Sequence, residues 1–178
     1  MLVPGLLAAV LLLATPRIAG AGAGAVEVIA TAQVAASPEQ VFELLTDFGA
    51  WERVFSGIRV LRVEHLDAES ARVRQLTRVI GRPVACTMAA TLRPAALQLD
   101  LVLDDREPHD IAELASFWRV MPAPGGGSNV ELRVVARSGL PIPEFVERRI
   151  VEQSARRTVD DLVRALTRVA SLPTYAHR

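Results

Sequence analysis

Apolar and polar positions divide the chain into a series of short alternating stretches and one long helical stretch at the end. From Pro143 to Ala170, Val151, Ala155, Val159, Leu162, Leu166 and Val169 recur at spacings of three and four. A period of 3.6 residues gathers them into one apolar stripe. Glu147, Arg157, Asp160, Asp161, Arg164 and Arg168 fall off that stripe and are expected in water. Pro141 and Pro143 precede it, and proline suits a first helical turn because the N–H it lacks has no intrahelical partner there. The spacing predicts an amphipathic helix of about seven turns that needs an apolar surface to cover it.

Upstream the period is two. Val26 to Val34, Ile58 to His65, Ala71 to Val79, Pro83 to Leu92, Leu97 to Leu103, Ile111 to Met121 and Val130 to Arg137 read as strands. Short turns such as Asp67-Ala68-Glu69-Ser70, Gly81-Arg82-Pro83 and Gly125-Gly126-Gly127-Ser128 separate them. Such connections favour antiparallel neighbours, since a parallel pair needs a crossover of about a dozen residues. Between the first two strands Ser37 can cap a helix, Pro38 takes its first position, and Gln40 can close a capping box. Asp47 can cap a second short helix holding Trp51 and Val54, ended by Gly57. The order β-α-α-β-β-β-β-β-β-α, with helices segregated from the strands, predicts an α+β domain.

The alternation also assigns faces. Val130, Leu132, Val134 and Ala136 share one face of the last strand, against Glu131, Arg133 and Arg137. Leu97, Leu99, Leu101 and Leu103 alternate with Gln98 and Asp100. Val84, Cys86, Met88, Ala90 and Leu92 make a third apolar row, although Ala85, Thr87, Ala89 and Thr91 leave its phase open. If Arg72, Arg74 and Arg78 face water, Gln75 and Thr77 point inward. Ile58 to His65 carries charge in both phases, and its faces stay unassigned.

Composition narrows the function classes. The chain has 178 residues, 51% of them hydrophobic, enough for one domain with a core or a hollow core. Its net charge is zero, so no global field favours nucleic acid or an anionic membrane. All twenty basic residues are arginine, spread along the whole length. The lone Cys86 excludes an intrachain disulfide and a Cys-rich metal site. At the start, an apolar run from Leu6 to Ala14 leads into Ala19-Gly20-Ala21-Gly22-Ala23-Gly24-Ala25. A short apolar run followed by A-x-A spacing predicts an export signal over residues 1–25, with the mature chain starting at Val26; the alternatives are an uncleaved anchor or a misassigned start. No basic residue precedes the run, and it is shorter than a membrane span of about 20 residues. Residues 26–172 then form the domain and 173–178 a tail, with a periplasmic or secreted location and no stable membrane span after cleavage.

The stretch Ala36-Ser37-Pro38-Glu39-Gln40-Val41-Phe42-Glu43-Leu44-Leu45-Thr46-Asp47-Phe48 carries a resemblance. It continues at Trp118-Arg119-Val120-Met121-Pro122 with the Gly-rich turn and strand that follow, and at Leu140-Pro141 before the final helix. The sequence resembles the START-related helix-grip superfamily, with its polyketide cyclase/dehydrase, coenzyme Q-binding and pollen-allergen-like branches. The resemblance implies a curved antiparallel sheet of seven strands wrapped around the long C-terminal helix, with an apolar cavity between them. It implies ligands such as lipids, quinones or polyketides, held by carriers, cyclases or regulatory proteins, without choosing among these.

Against that fold the candidate ligand-binding residues are Gln75, Thr77, Cys86, Met88, Leu99, Leu101, Trp118, Val134, Arg148, Val151, Ala155 and Val159. Trp118, in phase with Leu114, Ser116 and Val120, either faces a ligand or packs in the core. Gln75 and Thr77 either orient a ligand or satisfy each other, the backbone or a trapped water. Arg148 either holds an anionic head group at the cavity mouth or pairs with Glu152 on the surface. Asp104, Asp105 and Glu107 cluster in a turn and are expected to be solvated. His65, His109 and His177 show no ligand spacing, and no metal, cofactor or catalytic motif stands out. The leading expectation is non-catalytic binding of a hydrophobic small molecule or lipid. The alternatives are a cyclase/dehydratase-type enzyme and a partner-binding module with an exposed apolar patch near Trp51 and Phe55.

Overall fold

The computed structural model describes residues 24–79 and 82–170. The expected export signal lies almost wholly outside these residues, as do Gly81, His177 and the 173–178 tail. Among the described residues no helix is long and apolar enough to cross a membrane.

The elements run β1 (Val26–Val34), α1 (Pro38–Thr46), α2 (Trp51–Val54), β2 (Ile58–His65), β3 (Ser70–Val79), β4 (Arg82–Arg93), β5 (Gln98–Leu103), β6 (Glu113–Pro122), β7 (Ser128–Arg137) and α3 (Glu144–Ala170). All seven strands belong to one antiparallel sheet of order β1-β7-β6-β5-β4-β3-β2. From β2 onward the chain meanders, because its turns are too short for anything but adjacent antiparallel strands. Only β1 breaks the sequence, pairing with β7 from Val26↔Ala136 to Val34↔Ser128. β1 and β2 therefore stand at opposite edges, and α1 and α2 carry the chain from one to the other. α3 packs against β1 and β7. Its Ala155, Val159, Leu162 and Leu166 join Val73, Met88, Leu99, Val130 and Leu132 of the sheet in one buried cluster. This is the helix-grip α+β architecture.

Local signals explain the helices. Gln40 N–H donates to Ser37 Oγ at 3.3 Å while Ser37 N–H donates to Gln40 Oε1 at 3.0 Å, completing the capping box. Asp47 Oδ1 accepts from Ala50 N–H at 3.2 Å and starts a 3₁₀ turn, Phe48–Ala50, that runs into α2. The Trp51 indole N–H donates to the Leu45 carbonyl at 3.0 Å. The ring stands edge-on to Phe48 and Phe55, with centroids 5.0 and 5.6 Å away. Trp51 and Phe55 are each only 2% exposed, so they do not form the exposed apolar patch that the partner-binding alternative requires.

The phase of β2 resists sequence reading for a structural reason. Its pairing with β3 slips between Val60 and Arg62, leaving Leu61 as the extra, exposed residue of a bulge. Each inserted residue reverses the inward–outward alternation beyond it. Ile58 and Val60 pack inward before the slip, and Val63 after it.

Three acidic residues expected in water are buried instead. Asp104 is held by Arg106 through Nε at 2.8 Å and by Arg72 at 3.2 Å. The Arg106 hydrogen bond holds its carboxyl below the usual carboxylate pKa. Glu147 and Asp161 leave the polar side of α3 for partners on other segments: the Ser138 N–H for Glu147, and Ser56 for Asp161. A burial reading from helical period alone does not foresee such long-range acceptor roles.

The turn into β7 requires glycine at one position. Gly127 has φ of +77°, and a Cβ there would collide with the Val34 carbonyl at the end of β1. Gly127→Ala is expected to cost about 3 kcal/mol, combining left-handed strain of roughly 1–2 kcal/mol with the backbone shift needed to clear that oxygen. Urea denaturation checks this, and a loss under about 1 kcal/mol would contradict it.

Candidate ligand-binding cavity

A partly open cavity lies between the sheet and the N-terminal half of α3. Its volume is about 150 Å³, within roughly 1050 Å³ of atom-free space that includes its opening. That is room for more than a trapped water, which needs only about 10–15 Å³.

The helix wall is built by period. Glu147, Ile150, Val151, Ser154, Ala155 and Thr158 fall at alternating steps of three and one, the face of α3 turned to the sheet. The sheet wall is built by alternation: Gln75 and Thr77 on β3, Met88 on β4, Leu101 on β5, Leu114, Ser116 and Trp118 on β6, and Leu132, Val134 and Ala136 on β7. Trp51 and Phe55 close one side, with the Phe55 ring 6.2 Å from Trp118. Farther along α3, Val159, Leu162 and Leu166 are buried in the main core. The hollow coincides with small side chains on both walls, Ser154 and Ala155 against Ser116 and Ala136, which do not fill the gap.

Few polar groups enter this space. Gln75 is 6% exposed; its Nε2 donates a weak hydrogen bond to Cys86 Sγ at 3.9 Å, and its Oε1 has no hydrogen-bond partner among the described residues. Cys86 is fully buried, and that burial pushes its thiol pKa up. Thr158 Oγ1 donates to the Ser154 carbonyl at 2.9 Å, a bond internal to the helix. Among the described residues Glu147 is the one carboxylate in the lining; it accepts the Ser138 N–H, while Ser138 Oγ accepts from Leu140 N–H at 3.2 Å. These bonds fasten the loop before α3 to its first turns.

The structure thus brings together Gln75, Thr77, Met88, Leu101, Trp118, Val134, Val151 and Ala155 around one space. Cys86 sits behind Gln75, and Leu99 and Val159 are packed in the core at 0% and 3% exposure. Arg148 is off the cavity. It is exposed beside β1, 3.5 Å from the Glu27 carbonyl, and its ion pair is with Glu144 at 3.4 Å, not with Glu152. Its neighbour Glu147 takes the inward position, and one residue turns about 100° on a helix of 3.6 residues per turn. The period-two pattern held the signal for Leu114, Ser116 and Leu132. Ser138 and Ile142 lie outside the regular elements, where no period points to them, and Ile111, expected to open a strand, precedes β6, which starts at Glu113. Among the described residues no three His, Cys, Asp or Glu side chains are grouped to hold a metal.

This sheet–cavity–helix arrangement has relatives. The family model described as polyketide cyclase/dehydrase and lipid transport matches residues 25–171. The chain belongs to that family. Among solved structures of the same fold, TTHA0849 from Thermus thermophilus is 17% identical, with a TM-score of 0.73 over 82% of this chain and 100% of that one. The Zhui aromatase/cyclase from Streptomyces sp. R1128 is 18% identical, with a TM-score of 0.70 over 86% of this chain and 99% of that one. A START superfamily protein from Mycobacterium smegmatis is 17% identical, with a TM-score of 0.67 over 80% of this chain and 98% of that one. No curated protein matches the sequence. At these identities the likeness establishes the shared fold, and family membership suggests a hydrophobic ligand for the cavity.

Proposed function

We propose that this domain binds a hydrophobic small molecule or lipid between sheet and helix, as a non-catalytic carrier or sensor exported by its N-terminal segment. The observation that carries this reading is the cavity itself: partly open, walled by Trp51, Phe55, Met88, Leu101, Trp118 and Val134, and containing, among the described residues, a single titratable side chain. Burying apolar surface contributes about 25 cal/mol per Å², so a ligand filling this space gains affinity without any charged contact. General acid–base chemistry needs a group that can move a proton in reach of the substrate, and among the described residues the lining offers only Glu147, already engaged with Ser138.

Native mass spectrometry of protein purified without denaturation is expected to show a bound apolar molecule that solvent extraction removes. Protein that carries no such molecule and takes up none from a panel of lipids, quinones and polycyclic phenols would overturn the reading.

A second reading has one observation in its favour. Glu147 is a buried carboxylate at the cavity wall, and similar folds include an aromatase/cyclase. If the domain is a cyclase or dehydratase, Glu147→Gln will abolish turnover of a polyketide-like substrate while leaving its binding intact. Absence of turnover in the unaltered protein excludes this reading for the substrates assayed.

A further inference from the structure

Gln75 is a polar side chain in a place that strand pairing cannot satisfy. Its register neighbours are Val60 on β2 and Cys86 on β4, and along β3 it shares the inner face with Val73 and Thr77. Val60 offers no side-chain partner and Cys86 only a weakly hydrogen-bonding sulfur. The carboxamide leans on that sulfur through Nε2, while Oε1 is buried with no donor to accept from among the described residues. A leucine would fill the same position without leaving a polar atom unmatched, and buried polar groups in native proteins are almost always matched. The amide's position in the cavity lining supplies the reason for keeping it.

We infer that Gln75 receives a hydroxyl group of the bound molecule, so that the ligand is a neutral, mostly apolar phenol or alcohol. This deepens the proposed function and rests on it. Three chemical points select the hydroxyl. An O–H supplies the donor that Oε1 lacks. A hydroxyl also accepts, so it serves the carboxamide in either of its two orientations. Charged head groups are excluded by what surrounds the site. Among the described residues the lining contains no Arg or His to meet a carboxylate or phosphate, and its carboxylate, Glu147, already accepts the Ser138 N–H, so an ammonium at Gln75 would exchange its water for one neutral carbonyl.

The test uses a matched pair of probes of almost equal shape, 4-ethylphenol and 4-ethyltoluene, titrated calorimetrically into the intact protein and into Gln75→Leu. The affinity ratio of phenol to toluene is expected to fall about tenfold in the variant, through weaker phenol binding, in line with the loss of one buried hydrogen bond. Gln75→Leu should also raise the melting temperature of the free protein, because it removes an unmatched amide. Should that variant fold poorly, Gln75→Met, of similar length and no amide, carries the same comparison. A ratio unchanged within about twofold overturns the inference and leaves cavity binding standing. Failure of the unaltered protein to bind either probe overturns both.

Discussion

Ala155→Phe is expected to lower affinity for apolar ligands by about a hundredfold, with the fold intact. Ala155 sits on the cavity face of α3 and is 3% exposed, so a benzyl group placed there has only the hollow to enter. The ring takes the space of a ligand ring, and burying such a ring is worth about 1.5–3 kcal/mol, which at 1.4 kcal/mol per factor of ten spans roughly ten- to more than a hundredfold. Because the added volume enters existing space, the substitution should cost less than the about 1–3 kcal/mol typical of overpacking a filled core. Fluorescent-probe displacement reads the affinity, and thermal unfolding confirms that the variant folds. Undiminished binding by a folded Ala155→Phe protein would place the ligand elsewhere than between sheet and helix.

That prediction depends on a helix face readable in the sequence, and such legibility ends where distant segments meet. Strand alternation placed Gln75, Thr77, Trp118 and Val134 inward, and helix period placed Val151 and Ala155, because each rests on a repeat several residues long. The capping box at Ser37 was equally plain, since its partners are three residues apart. What the sequence could not reveal depends on contacts between remote parts of the chain. The bulge at Leu61 follows from how β2 meets β3, and it inverts the face of every later residue on that strand. Trp51 and Phe55 lie in and just after a four-residue helix, too short to show a period, so only the packed structure turns them into the core. Glu147 and Asp161 look like surface acids until Ser138 and Ser56 arrive beside them. The same limit separates Arg148 from Glu147: a one-residue difference in helix phase decides which of them meets the cavity.

Asp161 is the acid through which that distant packing is most exposed to test. Its Oδ2 accepts both the backbone N–H and the hydroxyl of Ser56 at 2.8 Å, and its Oδ1 pairs with Arg164 one turn on. Ser56 follows Phe55 directly, so this carboxylate pins the end of the α2 segment, and with it one cavity wall, to α3. Burial raises the Asp161 pKa, but the two Ser56 hydrogen bonds and Arg164 outweigh it and leave the carboxyl below its ordinary 3.8. Asp161→Ala removes the acceptor and leaves the Ser56 N–H unmatched. Its expected cost near neutral pH is about 2–4 kcal/mol, from charged hydrogen bonds worth about 1.5–3 kcal/mol each before compensation by water. A domain of this size loses roughly 2–4 °C of melting temperature per kcal/mol, so a drop near 10 °C is expected. Ligand affinity should weaken as well, because Phe55 is no longer fixed. The pH dependence carries a definite sign. A group whose folded pKa is lowered stabilises the fold fully above its ordinary pKa and loses that contribution as pH falls through the folded value. The stability difference between the unaltered protein and Asp161→Asn, which keeps the shape without the charge, should therefore be flat from pH 8 to about pH 5. It should shrink below pH 3.8. Chemical denaturation across that range measures it. A difference that persists undiminished well below pH 3.8 would show that the charge of Asp161 does not hold the Ser56 segment to the helix.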